Sequence, residues 1–277
     1  MTLVVGLVCR LPKKGTPAVI LAGDRQFAAN VEDPGHEIAV IPGSSVLVAG
    51  AGSMSLVREA VDAIKVILSK VPNGVAVLSC AEFDSLLRRE IEPEMRRLVL
   101  AGEDAVRSSG FGLLIACSDS EGVRLYAVQS DGIPFRVDRG PGFGCVGRGY
   151  ALAGALRFNQ FRTEDLSPKR AGRLVAFMIL AASMVDRRVG RDPEIFETVS
   201  GEAKPWSEDA LKLARERVRA QDESLNRFWG WLSPGEADFG VATVGSIMNR
   251  DPIEIPAGST GLQPDGATGR NSNLQPT

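Results

Sequence analysis

Histidine occurs once, as His36, and cysteine four times in 277 residues. A Ser-His-Asp site would depend on His36, and no Gly-x-Ser-x-Gly elbow accompanies it. Cys9, Cys80, Cys117 and Cys145 are widely scattered, with no paired spacing. They read as buried thiols in a reducing cytoplasm, neither a disulfide frame nor a zinc site. No His, Cys or carboxylate cluster has metal-ligand spacing, so no metal or cofactor is expected. A Gly-Lys-Ser/Thr phosphate loop is missing. A surplus of one charge is missing too. The net charge is −2 and the basic residues are spread evenly, which gives no reason to expect nucleic acid or an acidic membrane as partner. No apolar run reaches the ~18 residues of a membrane span. The run Leu3–Val8 is too short for a signal-peptide core and has no basic leader, so Thr2 is expected to stay at the mature terminus.

What is present is ordinary soluble composition, 44% hydrophobic and 24% charged, in a chain long enough for a sizeable core. Residues 2–9 and 17–22 read as a hairpin around Lys13-Lys14-Gly15-Thr16-Pro17, and 37–41 and 45–49 as a second around Pro42-Gly43. From Ser53 a helical stripe takes over, with Leu56, Ala60, Ile64 and Ile67 on one face and Val57, Val61 and Leu68 widening it. A helix over 79–100 follows, which Pro93 should break or kink.

Strands are expected at 112–117, 123–128 and 135–137, as an antiparallel meander. A helix follows Gly149 to about Arg162. Another starts at Ser167 as N-cap with Pro168 behind it, and is apolar on nearly every side from Leu174 to Val185. A strand at 195–199, a charge-laced helix over 207–232 and a strand at 239–244 complete the ordered part. Composition then shifts to Pro, Gly, Ser, Asn, Gln and Thr, so 251–277 reads as a disordered tail behind a domain over 2–250. Gly142-Phe143-Gly144-Cys145-Val146-Gly147 matches the dinucleotide fingerprint on paper. Arg139-Gly140-Pro141 precedes it where a strand is needed, so it reads as a chance match. Gly50-Ala51-Gly52-Ser53 has better context but lacks a third glycine. The tight hairpins also argue against the parallel units such a nucleotide site requires.

The front of the chain carries the chemistry. Removal of Met1, the ordinary outcome when a residue as small as threonine follows, leaves Thr2 with its hydroxyl and a free α-amine on one residue. That pairing is a known way to activate a weak oxygen nucleophile. Around it stand a strand from residue 2, a return strand ending Gly23-Asp24-Arg25, a third strand at Ile38-Ala39-Val40-Ile41, and Ser45–Gly50 leading into a helix. Gly147-Arg148-Gly149 and Asp186-Arg187-Arg188-Val189-Gly190 come later. In this order, over residues 2–200, the chain resembles the β-type subunits of proteasomes, members of the N-terminal nucleophile (Ntn) hydrolases.

The resemblance implies an α+β fold, a four-layer αββα sandwich of two antiparallel sheets. It implies a threonine-type peptidase or amidohydrolase in which Thr2 attacks a peptide or amide carbonyl and forms an acyl-enzyme. Water, or another amine in a transpeptidase variant, then releases the acyl group. Asp24 is implied to orient the threonine and Gly50 to supply an oxyanion-hole N–H. Asp186 and Gly190 fall in the family's segment near the nucleophile. Plainer readings stand beside these: a turn aspartate pairing with Arg25, a glycine for a strand-to-helix turn, and a helix end with a glycine C-cap. Peptide or protein substrates and self-association into a ring also follow from the resemblance. The family's lysine at the start of the third strand is replaced by Glu37, and its serine in the glycine-rich turn by Arg148. A carboxylate beside Asp24 would repel a developing alkoxide. His36 would point to the opposite face of a regular strand, and Lys13 and Lys14 lie too far along the hairpin to substitute. A catalytically inactive assembly protein with the same fold is therefore the alternative.

Overall fold

The computed structural model describes residues 3–10, 16–24, 38–41, 44–71, 78–120, 122–139, 142–147, 166–186, 189–190, 192–216 and 220. The chain divides into a unit over Met1–Val241 and a second over Ala242–Thr277. The second lies outside the described residues, as do the helix expected after Gly149, the strand at 239–244 and the tail from 251.

The first unit is α+β, with two antiparallel five-stranded sheets. Strands β1 (Leu3–Arg10) and β2 (Pro17–Asp24) form the hairpin read from the sequence, in a register that sets Val4 opposite Gly23 and Arg10 opposite Pro17. On the far side of β1 lies β8 (Phe143–Gly147). Beyond β2 come β9 (Pro193–Val199) and then β10 (Glu202–Pro205). The second sheet runs β3 (Ile38–Val40), β4 (Leu47–Gly52), β5 (Phe111–Ser118), β6 (Val123–Val128) and β7 (Pro134–Arg136).

Side-chain alternation explains why the first strands are almost continuously apolar. Leu3, Val5, Leu7, Ala18, Ile20 and Ala22 face a cluster built with helix α5 (Pro168–Val185). Val4, Val19 and Leu21 face the other way, into a cluster shared with Leu47, Ala49, Leu114 and Leu125 of the second sheet. Both faces are buried, so neither can be polar. The outer face of the second sheet packs on α1 (Met54–Ser69), α2 (Cys80–Leu86) and α3 (Glu92–Ala101) through Leu56, Ile64, Phe83 and Met95, and on Ile91 between α2 and α3. Helices outside two facing sheets are compatible with a sandwich.

Three local features add to what the sequence shows. The helix from Cys80 to Ala101 is not broken at Pro93. A π-helical turn over Leu87–Ile91 comes just before it, with the Glu92 amide donating to the Leu87 carbonyl, and Pro93 sits in the first turn of α3, where a missing N–H costs least. A short helix, α4 (Glu103–Ser109), follows where none was expected. The glycine-rich Gly142–Gly147 segment contains a strand, with Gly144 opposite Gly6. A methyl at Gly6 would lie 2.9 Å from Leu21 and 3.2 Å from Leu114 and Leu125, so the glycine pair makes room for leucines between the sheets.

Two hydroxyls tie the sheets together away from the start of β1. Ser118, at the end of β5, and Thr198, on β9, are fully buried with their oxygens 2.7 Å apart. Thr198 also donates to the Ser45 carbonyl, and the Gly201 amide donates to the Ser118 hydroxyl.

Candidate functional site

Asp24 is the last residue of β2, and its side chain is 3% exposed. A carboxylate taken out of water must be compensated, and here backbone amides do so. One oxygen accepts the Leu3 N–H at 3.1 Å and the other accepts the Gly190 N–H. Asp24 thus joins the start of β1 to a turn 166 residues away in sequence. The register explains the meeting. Leu3 pairs with Gly147 on one side, and Asp24 pairs with Pro193 on the other, so β8, β1, β2 and β9 reach the same edge together.

The turn is built by the end of α5. The helix stops at Val185, and Asp186 takes an extended conformation (φ −120°, ψ 108°), its amide donating to Ala182. The Asp186 carbonyl then accepts the Val189 amide, which folds the chain back so that Gly190 presents its N–H to Asp24. The C-cap is Asp186, four residues before Gly190. The glycine C-cap reading of Gly190 is therefore corrected: Gly190 serves as a donor to the buried carboxylate.

Gly50 belongs to the other sheet, opposite Leu113 on β5. Its neighbour Ala51 pairs with Gly112, and a methyl at Gly112 would lie 2.8 Å from Val146, the partner of Val4. Gly50 and Asp24 thus lie toward one end of the facing sheets. A methyl at Gly50 would overlap Val57 of α1 and come within 2.9 Å of Leu113, so close packing of α1 demands the glycine. The strand-to-helix turn belongs instead to Gly52, whose φ is +110° and beside which the Gly110 backbone leaves no room for a side chain.

Thr2 lies outside the described residues, as do Arg25, His36, Glu37, Lys13, Lys14, Arg148, Arg187 and Arg188. The structure brings together Asp24, Leu3 and Gly190 by direct bonds, Asp186 through its turn, and Gly50 by its place on the facing sheet. Sequence reasoning named Asp24 and Gly190 separately and missed their bond, because nothing local signals a contact across 166 residues.

Two of the four thiols, Cys9 and Cys145, are poor nucleophiles. Burial, with Glu197 adding to it, pushes Cys9 up to about 12, and burial alone pushes Cys145 up to about 12, so both are protonated at neutral pH. Among the described residues, no group of three or more His, Cys, Asp or Glu could hold a metal ion, and no helix is long and apolar enough to cross a membrane. Compared with models of protein families and with curated proteins, the sequence matches none.

Proposed function

We propose that this chain is a proteasome-like N-terminal threonine hydrolase on an αββα sandwich, acting on peptides or proteins and assembling with copies of itself in a ring. The observation that carries the reading is the buried Asp24 carboxylate bonded to the Leu3 and Gly190 amides. Thr2 is joined to Leu3 by one peptide bond, so a nucleophile there would be tied to a fixed anchor. In this reading Met1 is removed, and the Thr2 amine takes the proton of the Thr2 hydroxyl as Oγ bonds to the substrate carbonyl carbon. The tetrahedral oxyanion is met by the Gly50 N–H, a kind of donor worth about 2.7–4 kcal/mol of barrier. Collapse breaks the C–N bond, the leaving amine takes the proton, and water then hydrolyses the threonyl ester.

One observation favours a second reading. Glu37 stands where the resemblance calls for a lysine, and a carboxylate there opposes a developing alkoxide. That residue supports a catalytically silent assembly protein. Intact mass, followed by treatment with an epoxyketone or β-lactone, separates the two. The hydrolase reading expects a chain lacking Met1 and one covalent adduct on Thr2, lost in Thr2→Ala. A retained Met1, or a trimmed chain that takes no adduct, supports the silent protein.

A further inference from the structure

Cys80 opens α2 in the outer helical layer, and Cys117 lies on β5 beneath it. Thirty-seven residues separate them in sequence, yet their sulfurs are 3.8 Å apart, in van der Waals contact. Both side chains are buried, at 2% and 0% exposure. The backbones around them are held. Asp119, two residues beyond Cys117, accepts the Cys80 amide at 2.7 Å with one carboxylate oxygen and the Gly122 amide at 2.7 Å with the other. The Cys80 thiol also lies 3.8 Å from the Cys117 carbonyl and 3.7 Å from the Gly122 carbonyl, and Ser45 Oγ lies 3.9 Å from the Cys117 sulfur. Each sulfur therefore has the other as its near reactive neighbour. A disulfide requires the two sulfurs to close to ~2.05 Å.

We infer that Cys80 and Cys117 form a reversible dithiol–disulfide switch that, once oxidised, staples α2 to β5. The oxidant is a small-molecule disulfide. One protein thiolate displaces half of it, forming a mixed disulfide and releasing one thiol. The second protein sulfur then attacks the first, forming the Cys80–Cys117 bond and releasing the other thiol. Two protein thiols become one disulfide, and one small disulfide becomes two thiols. The hydrogen bond to Cys117 and burial raise the Cys80 thiol well above its ordinary range, so the thiolate is scarce. This switch does not depend on Thr2.

The test uses the full, native chain equilibrated with glutathione over a series of reduced-to-oxidised ratios, then unfolded in denaturant containing an alkylating agent that blocks the free thiols, and weighed intact. The expected result is a fall in alkylatable thiols from four to two with a loss of 2 Da. A peptide map should join Cys80 to Cys117, and dithiothreitol should restore all four thiols. Glutathione adducts that persist without the link, four free thiols at every equilibrated ratio, or a link involving Cys9 or Cys145 would overturn it. Cys117→Ser supplies an independent arm. No species lighter by 2 Da should form in it, and its appearance there would mean that another pair reacts.

Discussion

Replacing Asp24 with alanine removes the acceptor for two backbone donors at once, those of Leu3 and Gly190. Alanine has no group to replace the carboxylate, and at 3% exposure water has little access. Hydrogen bonds to a charged group contribute about 1.5–3 kcal/mol each, so Asp24→Ala should cost about 3–6 kcal/mol. Asp24→Asn keeps the shape and one acceptor but turns an N–H₂ toward the second donor. It should cost about half as much. Urea denaturation of the three proteins reads both values from the midpoint shift at constant slope. A typical domain has about 5–15 kcal/mol in hand, so the loss is a large fraction of the total and the alanine variant should melt early. A cost below about 1 kcal/mol for alanine, or equal costs for the two variants, would refute the claim that this carboxylate clamps two amides.

Two further outcomes follow from packing. Gly50→Ala forces a methyl against Val57 and Leu113 and should cost about 1–3 kcal/mol. Adding Val57→Ala should relieve it, and a double-mutant cycle additive to within about 0.5 kcal/mol would show the crowding to be elsewhere. The Tyr126 hydroxyl is buried beside Phe83 without a hydrogen-bond partner among the described residues, so Tyr126→Phe should be neutral or stabilising by about 1 kcal/mol in a thermal or urea melt. A clear loss of stability would reveal a partner.

Much of the architecture was legible because the apolar pattern alone specifies it. The β1–β2 hairpin and the α1 stripe of Leu56, Val57, Ala60, Val61, Ile64, Ile67 and Leu68 bury the residues their periodicity marks. Most of what escaped has determinants that lie far away in the chain. Glycine is a poor strand former, and β8 exists because β1 offers it a register in which glycine faces glycine and Leu114 fills the gap. The π-helical turn before Pro93 satisfies a local backbone need by a spacing that periodicity does not encode. Asp24 was read correctly as the acidic end of β2, but its amide partners at Leu3 and Gly190 are products of tertiary register. The strand-to-helix turn read at Gly50 belongs to Gly52. Both precede a helix, and only the coordinates distinguish the one pressed by Val57 from the one with positive φ. The Cys80–Cys117 contact is invisible for the same reason, since widely spaced thiols carry no signature in the sequence.

The bridge between Ser118 and Thr198 has a mechanical meaning. With the bonds to the Ser45 carbonyl and the Gly201 amide, it pins one sheet to the other well away from Asp24, inside a seam made mostly of aliphatic side chains that can slip past one another. Sideways translation would strand two buried hydroxyls, whereas a slight parting of the far strand ends would leave them bonded. Breathing of the paired layers is thereby biased toward opening like a clothes-peg, widest where β1 begins.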